Sequence, residues 1–280
     1  MDNFDLVIVG AGSAGCIVVN NIINNTNYRV LLIEAGPSDN NPAIQVPLGY
    51  GMTFFHKTMN WNFYSKNQIG LNNREIYYPR GKVIGGSGSI NAMIYARGLK
   101  SDYENWSLNS NWSWENIKST FNELEHPVNE EQNDLPINKI PVNDVSSQHH
   151  PILDNFFKAA QEFNFDFNKQ LKSTTENQVG HYNVNTYKGL RNSSAKSFLK
   201  PIKNNPNLTI LTKTEVLKLK FKNNKISSLN IKYKGKILEV KPKIGTILSS
   251  GSIMTPYLLL KSGIGNPADL NKFNIPVVLN

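Results

Sequence analysis

The sequence lacks the features that are typical of secreted or membrane-embedded proteins. One cysteine, Cys16, stands among 280 residues, so no disulfide can form within the chain. No apolar run approaches the roughly 20 residues of a membrane-spanning helix. No basic segment precedes the first apolar run, so a signal peptide is not expected. The five histidines and the cysteine show no metal-site spacing. These absences predict an intracellular, soluble protein without a metal site and without a membrane partner.

Acidic residues are also in short supply. Against 30 lysines and arginines the chain has 21 acidic residues, which gives a formal net charge of +9. An excess of basic residues is typical of proteins that bind nucleic acid. The lysines are densest between Lys213 and Lys243, however, where apolar and polar residues alternate. That alternation indicates the solvated face of antiparallel strands, and nucleic acid is not an expected partner.

The most informative stretch runs from Phe4 to Gly36. A short apolar run, Leu6 to Val9, enters the motif G-x-G-x-x-G, and a helical apolar pattern follows. A second apolar run then ends in Glu34. This order of strand, glycine turn, helix, strand and acid is typical of a βαβ unit that binds a dinucleotide. The alternative is a glycine-rich turn in another kind of α/β protein.

Each residue of the motif has a physical task in that interpretation. Gly10 permits the tight turn, Gly12 lets a pyrophosphate approach the backbone, and Gly15 lets the helix pack close to the strand. The helix N-terminus attracts phosphate. Glu34 lies nineteen positions after Gly15 and can accept hydrogen bonds from ribose hydroxyls, which favours FAD or NAD over NADP. A helix N-terminus could activate the Cys16 thiol, but packing against the sheet is the favoured interpretation.

The middle of the chain begins with a proline-containing loop and an aromatic-rich stretch, Tyr50 to Tyr64, which indicates a core or a lid. Polar turns and a short strand are expected between Asn67 and Tyr78. A second glycine loop, GGSG at residues 85–88, leads into the apolar run INAMIYA, where we predict that a helix begins. Such a loop lets a flat ring lie against main chain, or it is a tight turn.

The segment RGKVIGGSGSINAMIYARG resembles the first signature of the glucose–methanol–choline flavoprotein oxidoreductases, most closely their choline dehydrogenase-like branch. A second segment, GSIMTPYLLLKSGIG from Gly251 to Gly265, is similar to the second signature of that family. Segments such as GLRNSSAKSFLKP and NPNLTILTKTEVLKL have counterparts between them, in the same order. The resemblance therefore covers essentially the whole chain.

The resemblance implies an α/β, Rossmann-like FAD-binding fold, with the FAD core near residues 1–125 and 190–280 and part of a substrate-domain insertion near 126–189. It also implies which residues bind FAD. Those near the pyrophosphate and ribose are Gly10, Gly12, Ser13, Ala14, Gly15, Glu34, Ala35 and Gly36. Those along the flavin, the adenine and the closing turn are Val83, Gly85, Gly86, Ser87, Asn91, Ala92, Met93, Val216 and Gly251.

Four residues depart from the family pattern. Gly88 stands where many relatives have serine, which loosens the loop. Ile90 stands where some relatives carry a histidine joined to flavin, so FAD should be bound non-covalently. Ser249 and Ser250 replace the more usual alanines, and their hydroxyls need partners if they are buried.

The catalytic histidine of the family belongs to a C-terminal substrate domain that has no counterpart in this sequence. His56, His126, His149, His150 and His181 do not stand in its context, and the pair His149–His150 is expected to be solvated. The sequence therefore predicts a truncated and inactive flavoprotein that binds FAD weakly or not at all. Two alternatives stay open: an enzyme half completed by a second chain that covers the flavin face, and a non-enzymatic interaction protein on the same scaffold.

Overall fold

A computed structural model describes residues 3–106, 112–128 and 134–280. Within these ranges the strands, in chain order, are β1 (Leu6–Val9), β2 (Val30–Ile33), β3 (Phe63–Tyr64), β4 (Tyr77–Tyr78), β5 (Ile94–Tyr95), β6 (Glu125–Val128), β7 (Ile140–Asn143), β8 (Asp166–Gln170), β9 (Gln178–His181), β10 (Asn183–Val184), β11 (Thr186–Tyr187), β12 (Leu190–Arg191), β13 (Leu208–Leu211), β14 (Glu215–Lys222), β15 (Lys225–Tyr233), β16 (Lys236–Val240) and β17 (Gly245–Leu248).

The α-helices of the same ranges are α1 (Ser13–Asn25), α2 (Pro42–Gln45), α3 (Tyr50–Thr53), α4 (Lys100–Trp106), α5 (Trp114–Leu124), α6 (Ile152–Glu162), α7 (Lys200–Ile202), α8 (Gly251–Lys261) and α9 (Pro267–Asn271). A 3-10 turn spans Gly86–Ser89, and a π-helical turn, Ala195–Leu199, runs directly into α7. Each helix found in the described ranges is too short or too polar to traverse a lipid bilayer.

Two compact units make up the chain. The first contains Met1–Ile90 and Ser193–Asn280, and the second is the continuous segment Asn91–Asn192. The second boundary lies close to the predicted residue 190, whereas the first lies well before the predicted residue 125. The boundary comes earlier because β5 pairs with β10 of the second unit, so the chain belongs to the second unit directly after Ile90.

The first unit is built on a parallel sheet with the strand order β13-β2-β1-β17. The strands β1 and β2 pair from Leu6 with Val30 through Val9 with Ile33, and α1 connects them. Val7 and Ile8 have no exposed surface, because both faces of the sheet are covered. The βαβ unit that the sequence predicts is therefore confirmed, and its glycine turn lies at the carboxyl edge of the sheet.

A three-stranded antiparallel sheet, β14-β15-β16, packs on one face of the parallel sheet. Its inner face buries Leu219, Leu229, Ile231 and Val240, which join Val7 and Leu31 in one core cluster. Between these apolar positions the strands carry the lysines of the segment 213–243 toward solvent, as at Lys218 and Lys220. The prediction of a solvated strand face is thus confirmed.

The second unit contains a mixed sheet, β5-β10-β7-β6, and a strand pair, β8-β9. The prediction that a helix begins in INAMIYA is wrong. Met93 takes a left-handed conformation (φ +62°), which a helix cannot accommodate, and Asn91 Oδ1 accepts from its backbone N–H at 3.0 Å. The following residues, Ile94 and Tyr95, are drawn into β5 by pairing with β10.

Candidate functional site

A cleft of about 640 Å³ opens in the first unit at the carboxyl ends of β1 and β2. Its walls come from the glycine turn before α1, the end of β2, the second glycine loop and the start of α8. The carboxyl edge of a parallel α/β sheet is where such folds bind their ligands. Two segments distant in sequence from the βαβ unit therefore converge on it.

The first glycine turn is shaped by close backbone contacts. Gly10 has φ +101°, and a Cβ there would lie 2.6 Å from the carbonyl oxygen of Ser249. A Cβ at Gly15 would lie 2.0 Å from the carbonyl oxygen of Gly10. Neither position can carry a side chain without displacing main chain.

The helix that follows presents its N-terminus to the cleft. Gly12 is the N-cap of α1, and no side chain caps the helix end. The first N–H groups of a helix have no acceptor within it, so those beside Ser13 and Ala14 are available to an anion in the cleft. Cys16, one turn further on, is buried, and its Sγ donates to the carbonyl oxygen of Ala11 at 3.3 Å. Burial raises the pKa of the Cys16 thiol to about 12, which supports packing over reactivity.

The second glycine loop meets the first one backbone to backbone. Gly85 and Gly86 both have positive φ, at +85° and +57°, and the N–H of Gly85 donates to the carbonyl oxygen of Ala11 at 2.7 Å. A Cβ at Gly86 would lie 2.8 Å from the Cα of Gly12. The two loops thus pack main chain against main chain, with no room for a β-carbon at Gly86, and both contribute to the wall of the cleft.

Glu34 ends β2 in the wall of this cleft and is 6% exposed. Its Oε2 accepts from the N–H of Ala11 at 3.0 Å, and its Oε1 accepts from the N–H of Gly36 at 2.9 Å. Burial raises the pKa of the Glu34 carboxyl, while the N–H groups of Gly36 and Ala11 act in the opposite direction. Each carboxylate oxygen can accept a further hydrogen bond, so Glu34 can receive ligand hydroxyls without releasing the backbone.

The serines that replace the usual alanines of the family have their hydrogen-bond partners. The hydroxyl of Ser249 donates to the carbonyl oxygen of Gly10 at 2.8 Å, and that of Ser250 donates to the carbonyl oxygen of Val9 at 3.0 Å. These bonds tie the end of β17 to the glycine turn after β1. The sequence predicted that these hydroxyls would need hydrogen-bond partners if buried, and the structure provides the partners.

Most of the residues that the resemblance assigns to FAD meet at this cleft. Those that line it are Gly10, Gly12, Ser13, Ala14, Glu34, Ala35, Gly86, Ser87, Val216 and Gly251. Gly15, Gly36, Val83 and Gly85 are buried around it and support the backbone rather than form its wall. Asn91, Ala92 and Met93 belong to the second unit.

The cleft also has lining residues that the sequence motifs do not identify. Trp61 and Phe63 stack at 5.7 Å between ring centroids, and Lys82 Nζ lies 4.4 Å from the centre of the Trp61 ring. The aromatic-rich stretch at residues 50–64 was the available signal for this pair. Arg80 and Tyr257 line the cleft as well, and no local pattern marks them.

None of the five histidines lines the cleft, and all of them fall within the described residues. His56 is half-buried, and its Nδ1 accepts from the backbone N–H of Met59 at 3.3 Å. The expectation that the pair His149–His150 is solvated holds only for His150. His149 packs against His181, with ring centroids 4.9 Å apart, because its ring is held between two acceptors of the second unit.

We find no set of metal ligands in the part of the chain that the structure describes. No group of three or more histidine, cysteine, aspartate or glutamate side chains is arranged to hold an ion there. The fold and the cleft instead define a class, the α/β proteins that bind a dinucleotide between a glycine turn and a terminal acid.

Comparison with known sequences narrows that class to one family. The sequence profile described as GMC oxidoreductase matches residues 4–278, and the chain belongs to this family. An alcohol dehydrogenase (acceptor) from Pseudomonas putida is 36% identical over 98% of this chain and 51% of its own length. The mitochondrial choline dehydrogenase of Mus musculus is 31% identical over 99% of this chain and 48% of its own length. The chain thus spans about half the length of these curated relatives.

Solved structures give the same result for the fold. Pyridoxine 4-oxidase from Mesorbium loti superimposes with a TM-score of 0.90 at 29% identity, over 99% of this chain and 55% of that chain. An FAD-dependent oxidoreductase from Chaetomium thermophilum superimposes with a TM-score of 0.87 at 26% identity, over 99% and 50%. The chain is therefore a GMC-type FAD-binding domain in fold, and the neighbour from Chaetomium thermophilum is described as FAD-dependent.

Proposed function

We propose that the first unit binds FAD non-covalently in this cleft, as the FAD-holding half of an oxidoreductase that acts on an alcohol. The observation that carries the proposal is Gly12 at the N-terminus of α1, which lines the cleft and where an added Cβ would meet no protein atom nearer than 3.8 Å, so that the cleft reaches its main chain. A pyrophosphate needs such an approach to main chain, together with an uncapped helix N-terminus.

Each wall of the cleft has a task in this proposal. The N–H groups at Ser13 and Ala14 would hold the pyrophosphate, and Glu34 would accept from the ribose hydroxyls. Val216, near the start of β14, would flank the adenine. Ile90 is buried and offers no nucleophile, which supports a non-covalent complex. Bound FAD would supply a hydride acceptor for alcohol oxidation.

We further propose that residues 1–280 do not oxidise alcohols by themselves. Oxidation of an alcohol needs a base to remove the hydroxyl proton, and such a base contributes roughly 10²–10⁴-fold to the rate. No histidine among the described residues lines the cleft. The chain also spans about half the length of its curated relatives, so a base can come from the counterpart of their remaining half.

A covering partner is favoured by apolar side chains on the first unit. Tyr257 and Leu260 on α8 are exposed, and Phe273 beyond α9 is 75% exposed. Large exposed apolar patches mark surfaces that another segment covers. We propose that this segment is the counterpart of the relatives' second half, supplied by the same polypeptide or by a second chain.

The test is an absorbance spectrum of the purified chain with FAD, followed by anaerobic addition of choline or a simple alcohol. We expect perturbed flavin bands that do not bleach. The variant Ser13→Glu places a negative charge in the cleft wall and should abolish FAD binding, whereas Asn21→Glu on the exposed side of α1 should not.

The other outcomes contradict parts of the proposal. Bleaching by an alcohol would show that a base is present within these residues. Absence of FAD binding at any concentration would refute the cofactor proposal and leave a non-enzymatic interaction protein as the better description of the chain.

A further inference from the structure

A second cleft, of about 520 Å³, lies in the first unit and shares no lining residue with the first. It is bounded by the turn after β2 at Ser38–Asn40, by the helical segment 195–203, and by Ile210 and Thr212 at the end of β13. Leu211 packs into the core with the antiparallel sheet, so its neighbours Ile210 and Thr212 face the other side of the parallel sheet. The cleft therefore lies at the carboxyl edge of β13, on the opposite face from β14–β16.

The side chains that line this second cleft carry a net positive charge. Lys196, Lys200 and Lys203 line it, at spacings of four and three residues, which bring side chains to one face of a helix. Asp39 is the one acidic side chain among the described residues of the lining. Three lysines against one aspartate give the wall a formal charge of +2.

Asp39 attracts Lys196 and Lys200, but its one negative charge offsets only one of the three positive charges in the wall. Like charges one helical turn apart repel each other. Lys200 and Lys203 form no ion pair within the described ranges of the chain. Lys196 is half-buried, and burial followed by the charge of Lys200 lowers the pKa of its ammonium group. An anion of charge −2 would neutralise the wall.

We propose that this cleft binds a small phosphate-bearing anion, contacted by Lys196 and Lys200, with Lys203 at its edge. Lysine binds phosphate as a point charge, whereas planar carboxylates are matched best by arginine, and the cations of the described lining are all lysines. Ser38, Asn40 and Thr212 add neutral hydrogen-bond donors to the same wall. This inference does not depend on the proposed FAD function, because the two clefts have separate walls.

The experiment is isothermal titration of the purified chain with inorganic pyrophosphate, ADP and citrate at matched ionic strength. We expect pyrophosphate and ADP to bind more tightly than citrate. A preference for ADP over pyrophosphate that disappears in the Lys196→Gln, Lys200→Gln variant would identify a nucleotide as the source of the phosphate, and a preference for pyrophosphate that disappears in the same variant would identify a free phosphate. Citrate binding as tight as pyrophosphate binding would contradict the phosphate assignment.

Variants locate the binding in this cleft rather than in the first one. The double change Lys196→Gln and Lys200→Gln should weaken pyrophosphate binding about 10- to 100-fold, which corresponds to about 1.4–2.8 kcal/mol in all, because two positive charges beside the anion are lost. The matched control Lys222→Gln with Lys225→Gln removes two exposed strand lysines and should leave binding unchanged. Equal loss in both pairs would show a general charge effect and overturn the site.

Two single variants keep the test interpretable if the double variant does not fold. Lys200 is exposed, so Lys200→Gln should fold normally and still weaken binding several-fold. Asp39→Asn removes the one negative charge of the wall and should strengthen binding about threefold or more. Unchanged affinity in both variants, with circular dichroism spectra like that of the parent, would refute the proposal.

Discussion

At the scale of single residues, Glu34 has two roles. It stabilises the glycine turn through hydrogen bonds to the backbone, and it is the proposed acceptor for the hydroxyls of the ligand. Both of its oxygens accept backbone N–H groups, so Glu34→Gln would direct an amide NH₂ at one of these donors. We expect a loss of about 1–3 kcal/mol in the free energy of unfolding, because a buried donor loses its acceptor. FAD affinity should fall as well. Urea unfolding and flavin titration measure both effects, and Glu75→Gln on the surface should change neither.

Gly86 tests the packing of the two glycine loops directly. Gly86→Ala would place a methyl group 2.8 Å from the Cα of Gly12 at φ +57°, where a non-glycine residue is strained. We expect a loss of about 1–3 kcal/mol in stability and a loss of FAD binding. Gly51→Ala is the matched control, since a Cβ there meets nothing within 4 Å and lies in α3. Normal FAD affinity in Gly86→Ala would contradict the assigned role of the loop.

At the scale of secondary-structure elements, Ser262 connects the end of α8 to β14. Its buried hydroxyl donates to the carbonyl oxygen of Leu258 at 2.6 Å and accepts from the N–H of Leu219 at 2.9 Å. Ser262→Ala should lower the free energy of unfolding by about 1–3 kcal/mol, because the Leu219 N–H is left buried without an acceptor. Ser227→Ala, at an exposed strand position, should stay within about 0.5 kcal/mol of the parent. Equal effects of the two changes would show that the connection is unimportant.

His149 provides a pH-dependent connection in the second unit. Its Nδ1 faces the carbonyl oxygen of Ser146 at 2.6 Å, and its Nε2 faces Oδ1 of Asp154 on α6 at 3.1 Å. Both partners are acceptors, so only the doubly protonated imidazolium can donate to each of them, and the Ser146 carbonyl followed by Asp154 raises the pKa of His149.

The sign of the pH effect follows from this raised pKa. The stabilisation is fully present below the unfolded pKa of about 6.5 and is lost as pH rises through the folded pKa. As pH rises above about 6.5, stability should therefore fall more steeply in the parent than in His149→Gln. Urea unfolding at several pH values measures this, with His150→Gln as the neighbouring exposed control. Parallel curves for parent and His149→Gln would refute the connection.

The elements also show what the sequence could predict and where prediction failed. The strands β1 and β2, the helix α1 and the lysine-bearing strands were predictable, because their apolar periodicity is local. The helix at INAMIYA failed because Asn91 binds Arg191, one hundred residues away, through Nη1 at 2.7 Å and Nη2 at 2.6 Å. Arg80 and Tyr257 reach the cleft only through tertiary packing, and the motifs carry no information about that packing.

At the scale of the whole molecule, the two ends of the second unit lie side by side. In the first unit, Ser193 Oγ is 3.4 Å from the position of a Cβ on Gly85. In the second unit, Arg191 grips Asn91. The continuous segment Asn91–Asn192 therefore leaves the first unit and returns to it at neighbouring points, as an insertion does.

We predict from this geometry that the second unit can be removed without unfolding the first. A chain that joins Ile90 to Ser193 through a short glycine–serine linker should keep the parallel sheet and the FAD cleft, and its circular dichroism melting should stay cooperative. Failure of that chain to fold would show that the first unit needs the insertion. Because both joins lie at one place in the first unit, an insert of different length or sequence between Ile90 and Ser193 should likewise leave the strand order β13-β2-β1-β17 unchanged.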